Sequence, residues 1–213
     1  MNVSAGGKSR RAANCVFGAA AAVVLLSVSA VNAQGGSFTD ARDGKTYRTV
    51  KIGNQTWMAE NLNYKTGNSV CYANKESNCR KYGRLYDWDD AMKACPAGWH
   101  LPGDEEWTAL TDFVGGEETA GTKLKSKTGW SKGQYYKAAT DDYGFSALPG
   151  GYYSDGSFNY AGYHGVWWSA TEGSADNAWY RDMRYYYVGV TRDHDFKTGL
   201  FSLRCAQDSA APQ

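Results

Sequence analysis

The chain has 213 residues, and its 23 lysines and arginines nearly balance its 22 aspartates and glutamates, giving a net charge of +1. This balance argues against nucleic acids and anionic membranes as partners, because both are bound through clustered basic residues. The length fits one domain with a substantial core.

The first 33 residues predict an export signal. A basic leader precedes an apolar run over residues 16–30, and no acidic residue occurs before Asp40. The run is shorter than the about 20 residues of a membrane-spanning helix, and it is followed at Ala33 by a small-x-Ala cleavage pattern. We predict cleavage after Ala33, with an uncleaved amino-terminal anchor as the alternative.

Cleavage would leave a mature chain that is secreted or held at the outer cell surface. It would remove three basic residues, so that 20 basic residues face 22 acidic ones, for a net charge of −2. No second apolar run of spanning length follows, so we predict no membrane span in the mature chain. We divide the remainder into a linker at residues 34–38, one domain at 39–208 and a polar tail at 209–213.

The first half of the domain predicts a hairpin and two helices. Two extended runs surround Gly53-Asn54, a pair typical of a tight hairpin turn. Apolar residues then recur at helical spacing from Leu85 to Cys95-Pro96, where the proline ends the helix. A second helix is signalled at Pro102-Gly103, followed by acidic residues in its first turn, and ends at Gly115-Gly116.

After the second helix, the sequence predicts short strands and loops without a further helix. The final run, LFSLRC, alternates along its length. A strand with this pattern places Phe201, Leu203 and Cys205 on its inward face, while Ser202 and Arg204 point away.

Four cysteines follow the export signal, and in an exported chain they indicate two disulfides. Three pairings are open. Closeness favours Cys71 with Cys79, which leaves Cys95 with Cys205. The chain contains no Cys-x-x-Cys pair and its three histidines are scattered, so we predict no metal site of the zinc type.

Six segments, in one order from residue 57 to residue 205, resemble the Fibrobacter succinogenes major paralogous domain, a family of bacterial exported and surface modules. The resemblance implies an α+β, C-type-lectin-like fold: two helices packed on a small, twisted, mainly antiparallel sheet, with a long loop-rich insertion. In such folds an early helix ends in a cysteine bridged to the final strand, which implies the pairing of Cys95 with Cys205. The segments are WMAENLN (57–63), YGRLYDW (82–88), CPAGWHLPGDEEW (95–107), GFSALPGG (144–151), GVWWSAT (165–171) and FSLRC (201–205).

We predict no catalytic residues. Formylglycine-generating enzymes share the broad fold that the resemblance implies and use late cysteines with a metal, but the late cysteine here, Cys205, is assigned to a disulfide. We interpret the acidic cluster at residues 104–106 as partners of a helix dipole and His100 as a packed, hydrogen-bonded histidine. An enzyme related to the formylglycine-generating or carbohydrate-processing proteins is the alternative function.

The resemblance does not extend to the sugar-binding triplets of calcium-dependent C-type lectins. Neither Glu-Pro-Asn nor Gln-Pro-Asp occurs in the chain, so sugar specificity does not follow from the fold. We predict no cofactor, because loop aspartates usually serve turns. The alternative is a structural calcium ion bound by the carboxylates of Asp141, Asp142 and Asp155.

Two tyrosine-rich segments, residues 150–165 and 177–196, predict a binding face. Tyrosine mixed with glycine, serine, aspartate and arginine is typical of adaptable contact surfaces, because its ring offers a large amphipathic area at low entropic cost. We therefore predict a non-enzymatic ligand-binding or adhesion module that contacts a polysaccharide or a surface protein. The candidate ligand-binding residues are Tyr152, Tyr153, Asp155, Tyr160, Tyr163, Trp179, Arg181, Tyr185, Tyr187, Arg192, His194 and Asp195.

The resemblance also suggests a diversified binding protein. Members of the family serve as targets of diversity-generating retroelements, which vary a stretch just before the closing motif. Residues 176–197 lie immediately upstream of GLFSLRC. They contain tyrosine, aspartate, arginine and histidine at positions where asparagine-type codons would mutate. A reverse transcriptase gene and a near-copy of this segment beside the gene would support the hypothesis, and their absence would refute it.

Overall fold

Two five-stranded sheets, one small hairpin and four α-helices make up residues 35–209. The structure is a computed structural model that describes residues 1–3 and 35–209. Apart from its first three residues, the predicted export signal lies outside the described part of the chain, as do residues 210–213 of the predicted tail. No helix within the described residues has the length and apolar character that crossing a membrane requires.

The four helices are short, and most strands are shorter than seven residues. The helices are α1 (Glu76–Tyr82), α2 (Trp88–Ala94), α3 (Asp104–Phe113) and α4 (Glu117–Leu124). The strands are β1 (Gly35–Thr39), β2 (Thr46–Ile52), β3 (Gln55–Met58), β4 (Leu85–Tyr86), β5 (Trp99–His100), β6 (Tyr152–Ser154), β7 (Ser157–Asn159), β8 (His164–Glu172), β9 (Asn177–Arg184), β10 (Thr191–Phe196), β11 (Phe201–Ser202) and β12 (Ala206–Gln207).

The first sheet has the order β1-β2-β3-β12-β5, and the second has the order β10-β9-β8-β11-β4. Their neighbouring strands are antiparallel, apart from β11 and β8, which run parallel. The predicted hairpin is confirmed: Ile52 pairs with Gln55 around Gly53, whose φ of 60° suits glycine in a tight turn. Residues 35–38, predicted as a linker, instead lie in β1 and pair with β2.

Both predicted helices are confirmed as α2 and α3, and each begins with a recognisable cap. The Asp87 side chain accepts a hydrogen bond from the backbone N–H of Asp90 at the start of α2 (2.9 Å). At the start of α3, the Glu106 carboxylate accepts from the Gly103 N–H (2.9 Å). Helix α2 is shorter than the run of helically spaced apolar residues that begins at Leu85, because Leu85 and Tyr86 form β4.

The prediction of no further helix is wrong at α4, and the loop between Cys71 and Cys79 contains the first four residues of α1, which continues to Tyr82. Both helices are about two turns long, too short to be stable by propensity alone. In α4, Ala120 and Leu124 are buried four residues apart on one face. A side chain at Gly121 would place its Cβ 2.0 Å from the Gly189 carbonyl oxygen. Close packing against a distant segment therefore stabilises α4, and the local pattern does not show it.

The second sheet separates two hydrophobic cores, one covered by α3 and α4 and the other by α2. On one face, Trp167 packs against Trp107 of α3, with ring centroids 6.5 Å apart. On the other face, Trp168 stacks on Phe201 at 4.2 Å and shares a core with Trp88 of α2. The buried tryptophans at positions 99, 107, 167 and 168 are therefore packing residues.

The closing segment, residues 201–207, joins the two sheets. Its first strand, β11, lies between β8 and β4, and its last, β12, lies between β3 and β5. Between them, the carbonyls of Leu203 and Cys205 accept hydrogen bonds from Leu62 and Met58. The predicted disulfides are present, with sulfur-sulfur distances of 2.02 Å for Cys71–Cys79 and 2.09 Å for Cys95–Cys205.

The outward orientation predicted for Ser202 and Arg204 is wrong, because both are 0% exposed. The Arg204 guanidinium donates to the Asn61 side-chain oxygen (2.8 Å) and to the carbonyl of Phe145, whose ring centroid lies 4.2 Å away. Burial lowers the pKa of Arg204 to about 9. Alternation predicts two faces for this strand, but sheet and loop residues cover both of them.

Asn61 is the side chain on which this buried network depends. Its oxygen also accepts from the indole N–H of Trp167 (2.8 Å), and its amide donates to the carbonyl of Tyr82 (2.8 Å). A buried cation that loses its acceptor is costly, commonly by about 3 kcal/mol or more.

We expect Asn61→Ala to lower the free energy of unfolding by about 3 kcal/mol, because it removes the side-chain acceptor of Arg204 and leaves the Trp167 indole unpaired. Chemical denaturation measures the difference. Asn63→Ala is the matched control, since Asn63 is partly exposed and its side chain makes no such contact. Equal stability of the two variants would contradict the role of Asn61.

His100 links β5 to α3 and to the end of the described chain. Its ring nitrogens lie 2.8 Å from Glu106 and 2.7 Å from Asp208, as predicted for a packed, hydrogen-bonded histidine. Burial alone would lower the pKa of His100, but the hydrogen bonds to these two carboxylates outweigh it and raise the pKa above 6.5. The folded protein therefore favours the protonated ring more than the unfolded chain does.

A raised folded-state pKa gives a contribution to stability that is full below about pH 6.5 and is lost as the pH rises through the folded-state value. We expect the melting temperature of the wild type to exceed that of His100→Gln at low pH, and the difference to shrink at higher pH. Thermal melts of both proteins from about pH 5 to about pH 9 test this. A difference that does not change with pH would rule it out.

Candidate functional site

The tyrosine-rich segments meet at a groove between the β6–β7 hairpin and one face of the second sheet. One part of it has a volume of about 530 Å³, and an adjoining part of about 570 Å³ shares Tyr152, Tyr160, His164 and Arg184 with it. We call both parts together the tyrosine groove. Six predicted binding residues line it: Tyr152, Asp155, Tyr160, Tyr163, Tyr185 and Asp195.

The β6–β7 hairpin forms one wall of the groove. Its turn places Asp155 and Gly156 at φ values of 53° and 77°, the left-handed conformation of a tight two-residue hairpin turn. Gly151 precedes the hairpin, and a Cβ there would lie 2.4 Å from the Asn159 carbonyl oxygen. Backbone hydrogen bonds between Tyr153 and Leu200 attach the hairpin to the residue directly before the closing segment.

Strands β8 and β9 form the floor of the groove. Successive side chains of a strand point to opposite faces. Tyr180, Asp182 and Arg184 therefore share the groove face of β9, and His164 pairs with Arg184 across the sheet.

The same alternation divides the predicted binding face in two. Trp179 and Arg181 point to the opposite face of β9, beside the start of α3. Arg181 is buried and forms an ion pair with Asp104. Arg192 also pairs with Asp104 and lies 3.4 Å from the centroid of the Trp179 ring, while the ring of His194 lies 5.2 Å from it.

Two further predicted residues lie outside both groups. The hydroxyl of Tyr187 donates to the Glu118 carboxylate of α4 (3.0 Å). The ring of Tyr153 packs against Phe158 at 5.0 Å. The structure therefore brings together about half of the predicted residues and assigns the others contacts elsewhere.

Several groove residues were not among the predicted ones, notably His164, Tyr180, Asp182 and Arg184. The signal for the last three was present in the sequence, since they alternate at positions i, i+2 and i+4. The amino-acid composition of residues 177–196 does not show this alternation. A strand assignment for residues 177–184 would have placed Tyr180, Asp182 and Arg184 on one face and Trp179 and Arg181 on the other.

Large aromatic side chains at the groove are open to solvent. Tyr160 is 54% exposed and Phe196 is 61% exposed. Tyr160 also has a φ of 58°, an uncommon conformation for a bulky residue. Its ring lies 4.8 Å from the ring of His164, so the strained backbone presents an aromatic face at the mouth of the groove.

The polar centre of the groove is the buried carboxylate of Asp182. It accepts a hydrogen bond from Arg184 (2.5 Å) and lies 3.4 Å from the His164 ring nitrogen. Burial opposes the charge on Arg184, but the Asp182 contact outweighs it and raises the pKa of Arg184. Burial also raises the pKa of Tyr152 and Tyr180. The groove thus combines neutral phenols with fixed charges.

A buried lysine fixes the loop that carries Tyr185. The ammonium of Lys125 donates to the carbonyls of Arg184 (3.0 Å) and Tyr187 (2.7 Å). Burial lowers the pKa of Lys125 to about 8. The position of Tyr185 in the groove therefore depends on a residue of the segment after α4.

The structure also bears on the calcium alternative. The Asp141 carboxylate accepts hydrogen bonds from the N–H and hydroxyl of Ser146 (2.8 and 2.7 Å), which is a turn contact. In the described part of the chain, the aspartates at positions 141, 142 and 155 do not form one cluster of ligand atoms. The group that comes closest to a metal site, Cys71, Glu76 and Cys79, has both sulfurs in a disulfide.

Comparison with known proteins gives one match. No curated protein and no solved structure matches the chain. The family model of the Fibrobacter succinogenes major domain matches residues 50–207, a range that contains all six segments of resemblance and the tyrosine groove. The chain therefore belongs to the Fibrobacter succinogenes major domain family.

Proposed function

We propose that the protein is an exported, non-enzymatic module that binds a polysaccharide through the tyrosine groove, with adhesion to a surface protein as the second candidate. The observation that carries the proposal is the set of solvent-exposed aromatic rings around a polar centre. Binding sites commonly combine an apolar lining with a few polar groups that fix orientation. Tyrosine rings offer flat faces to sugar rings and hydroxyls to their polar groups.

Two further features support an extracellular binding module. Two disulfides are typical of proteins that work in an oxidising compartment. Helices on both faces of a mainly antiparallel sheet, with the end of α2 bridged to the closing segment by Cys95–Cys205, support a C-type-lectin-like fold. This fold assignment is part of the proposal.

The alternative is an enzyme of the formylglycine-generating kind. Such an enzyme needs a reactive late cysteine, and the sulfur of Cys205 is bonded to Cys95. Thiol titration of the folded protein separates the two functions: a reactive Cys205 would favour the enzyme, and its absence favours the binding module.

We also propose that residues 176–197 are the stretch that varies in a diversified binding protein. This segment comprises β9, β10 and their connection. Some of its side chains line the groove, and others form the group of Trp179, Arg181, Arg192 and His194 beside the start of α3. Substitutions in the segment would therefore change the contact surfaces, while the buried network around Asn61 stays intact.

We expect Tyr160→Ala and Tyr163→Ala each to weaken glycan binding at least about tenfold, because both remove an exposed ring from the groove. A glycan array followed by calorimetry on the strongest binder measures the effect. Tyr135→Ala is the matched control, since Tyr135 is exposed but does not line the groove. Equal affinities of all four proteins, or no binding to any glycan, would refute the polysaccharide proposal.

A further inference from the structure

A second hollow, of about 430 Å³, lies apart from the tyrosine groove and shares no lining residue with it. Five segments form its walls: the start of β2, the stretch after β3, the last turn of α1, and the two loops around residues 126–128 and 146–148. None of the predicted ligand-binding residues lies there. We call it the basic hollow for the charges described next.

Charge is the unusual property of this hollow. Its lining contains four cations, Lys45, Arg48, Arg80 and Lys81, against a single carboxylate, Glu60. The chain as a whole is close to neutral, so this is a local concentration of positive charge. A concave wall focuses such a field and attracts anions more strongly than a flat surface does.

The existing ion pairs leave part of this charge available. Lys45 lies 2.9 Å from Asp43, and Arg48 lies 3.6 Å from Glu60, both at exposed positions where ion pairs contribute little. Arg80 and Lys81 have no carboxylate within ion-pair distance among the described residues. They are adjacent in the last turn of α1, where cations also suit the helix dipole.

The walls are well fixed. The Cys71–Cys79 disulfide anchors α1 at Cys79, directly before Arg80 and Lys81, and Cys79 itself lines the hollow. Gly83, with a φ of 77°, allows the chain to pass close to Asn61, since a Cβ there would lie 2.8 Å from the Asn61 Cβ. Because Asn61 belongs to the buried Arg204 network, the floor of the hollow is part of the rigid core.

We infer that the basic hollow is a second binding site, which takes the carboxylate or phosphate group of an anionic polymer. Arginine suits such groups because its planar guanidinium donates two parallel hydrogen bonds, and lysine adds a point charge. The exposed hydroxyl of Thr128 lines the same hollow and can donate a further hydrogen bond. A protein with both sites could hold one surface polymer by its anionic groups and another through the tyrosine groove.

The test uses the protein without its export signal and three probes: oligogalacturonate, its fully methyl-esterified form, and short-chain polyphosphate. We expect at least one of the two anionic probes to bind, the neutral ester to bind at least about tenfold more weakly, and added salt to weaken binding. Comparing the two anionic probes shows whether carboxylate or phosphate is preferred. Failure of both to bind would overturn the inference.

Variants then locate the site. We expect Arg80→Gln/Lys81→Gln to weaken binding of the anionic probe at least about tenfold. Lys75→Gln/Lys93→Gln makes the same charge change at exposed lysines outside the hollow and should have a much smaller effect. An equal loss of affinity for the anionic probe in the two double variants would overturn the inference, because binding would then depend on the total charge of the protein and not on the hollow.

A variant of the tyrosine groove shows whether anion binding at the basic hollow is independent of the proposed function of the groove. Tyr160→Ala should leave binding of the anionic probe unchanged while it weakens binding of the groove ligand. If Tyr160→Ala weakens anion binding as strongly as the Arg80→Gln/Lys81→Gln pair does, a separate basic site is disproved. Melting temperatures of all variants confirm that each protein is folded.

Discussion

The guanidinium of Arg204 lies where the two sheets meet, surrounded by aromatic rings and backbone, with no carboxylate within ion-pair distance among the described residues. A buried charge in such a place is tolerated when its hydrogen bonds are made. Asn61 and the carbonyls of residues 145 and 146 accept those bonds. The closing segment must therefore adopt one path, and that path places Cys205 beside Cys95.

This network explains what the family resemblance represents physically. Five of the six segments of resemblance contribute to it through Asn61, Tyr82, Phe145, Trp167 and Arg204. The sixth, residues 95–107, reaches the same segment through the Cys95–Cys205 bond. Membership of the family thus describes how the chain folds, whereas the tyrosine groove is built mainly from residues that lie between these segments. Function has to be argued from the groove itself.

Two surfaces with different chemistry result from this arrangement. The groove presents aromatic rings, and its lining has three carboxylates, Asp155, Asp182 and Asp195, against the cation Arg184. The basic hollow has four cations and one carboxylate, with few exposed rings. Fixed charges select among partners through repulsion as well as attraction, so any ligands of the two surfaces would differ in charge. Both rest on the same rigid core.

The sequence by itself determined features whose cause is local: the hairpin at Gly53-Asn54, the capped helices α2 and α3, and the short disulfide loop. Half of the binding residues predicted from the sequence also line the groove, because tyrosine-rich composition is visible without a fold. Tertiary structure alone decided that Arg204 is buried, that α4 is a helix, and that Arg181 points away from the groove and forms an ion pair with Asp104. In each case the deciding partner lies far away in the chain. Periodicity shows that a strand has two faces, but what covers each face depends on residues brought together by folding.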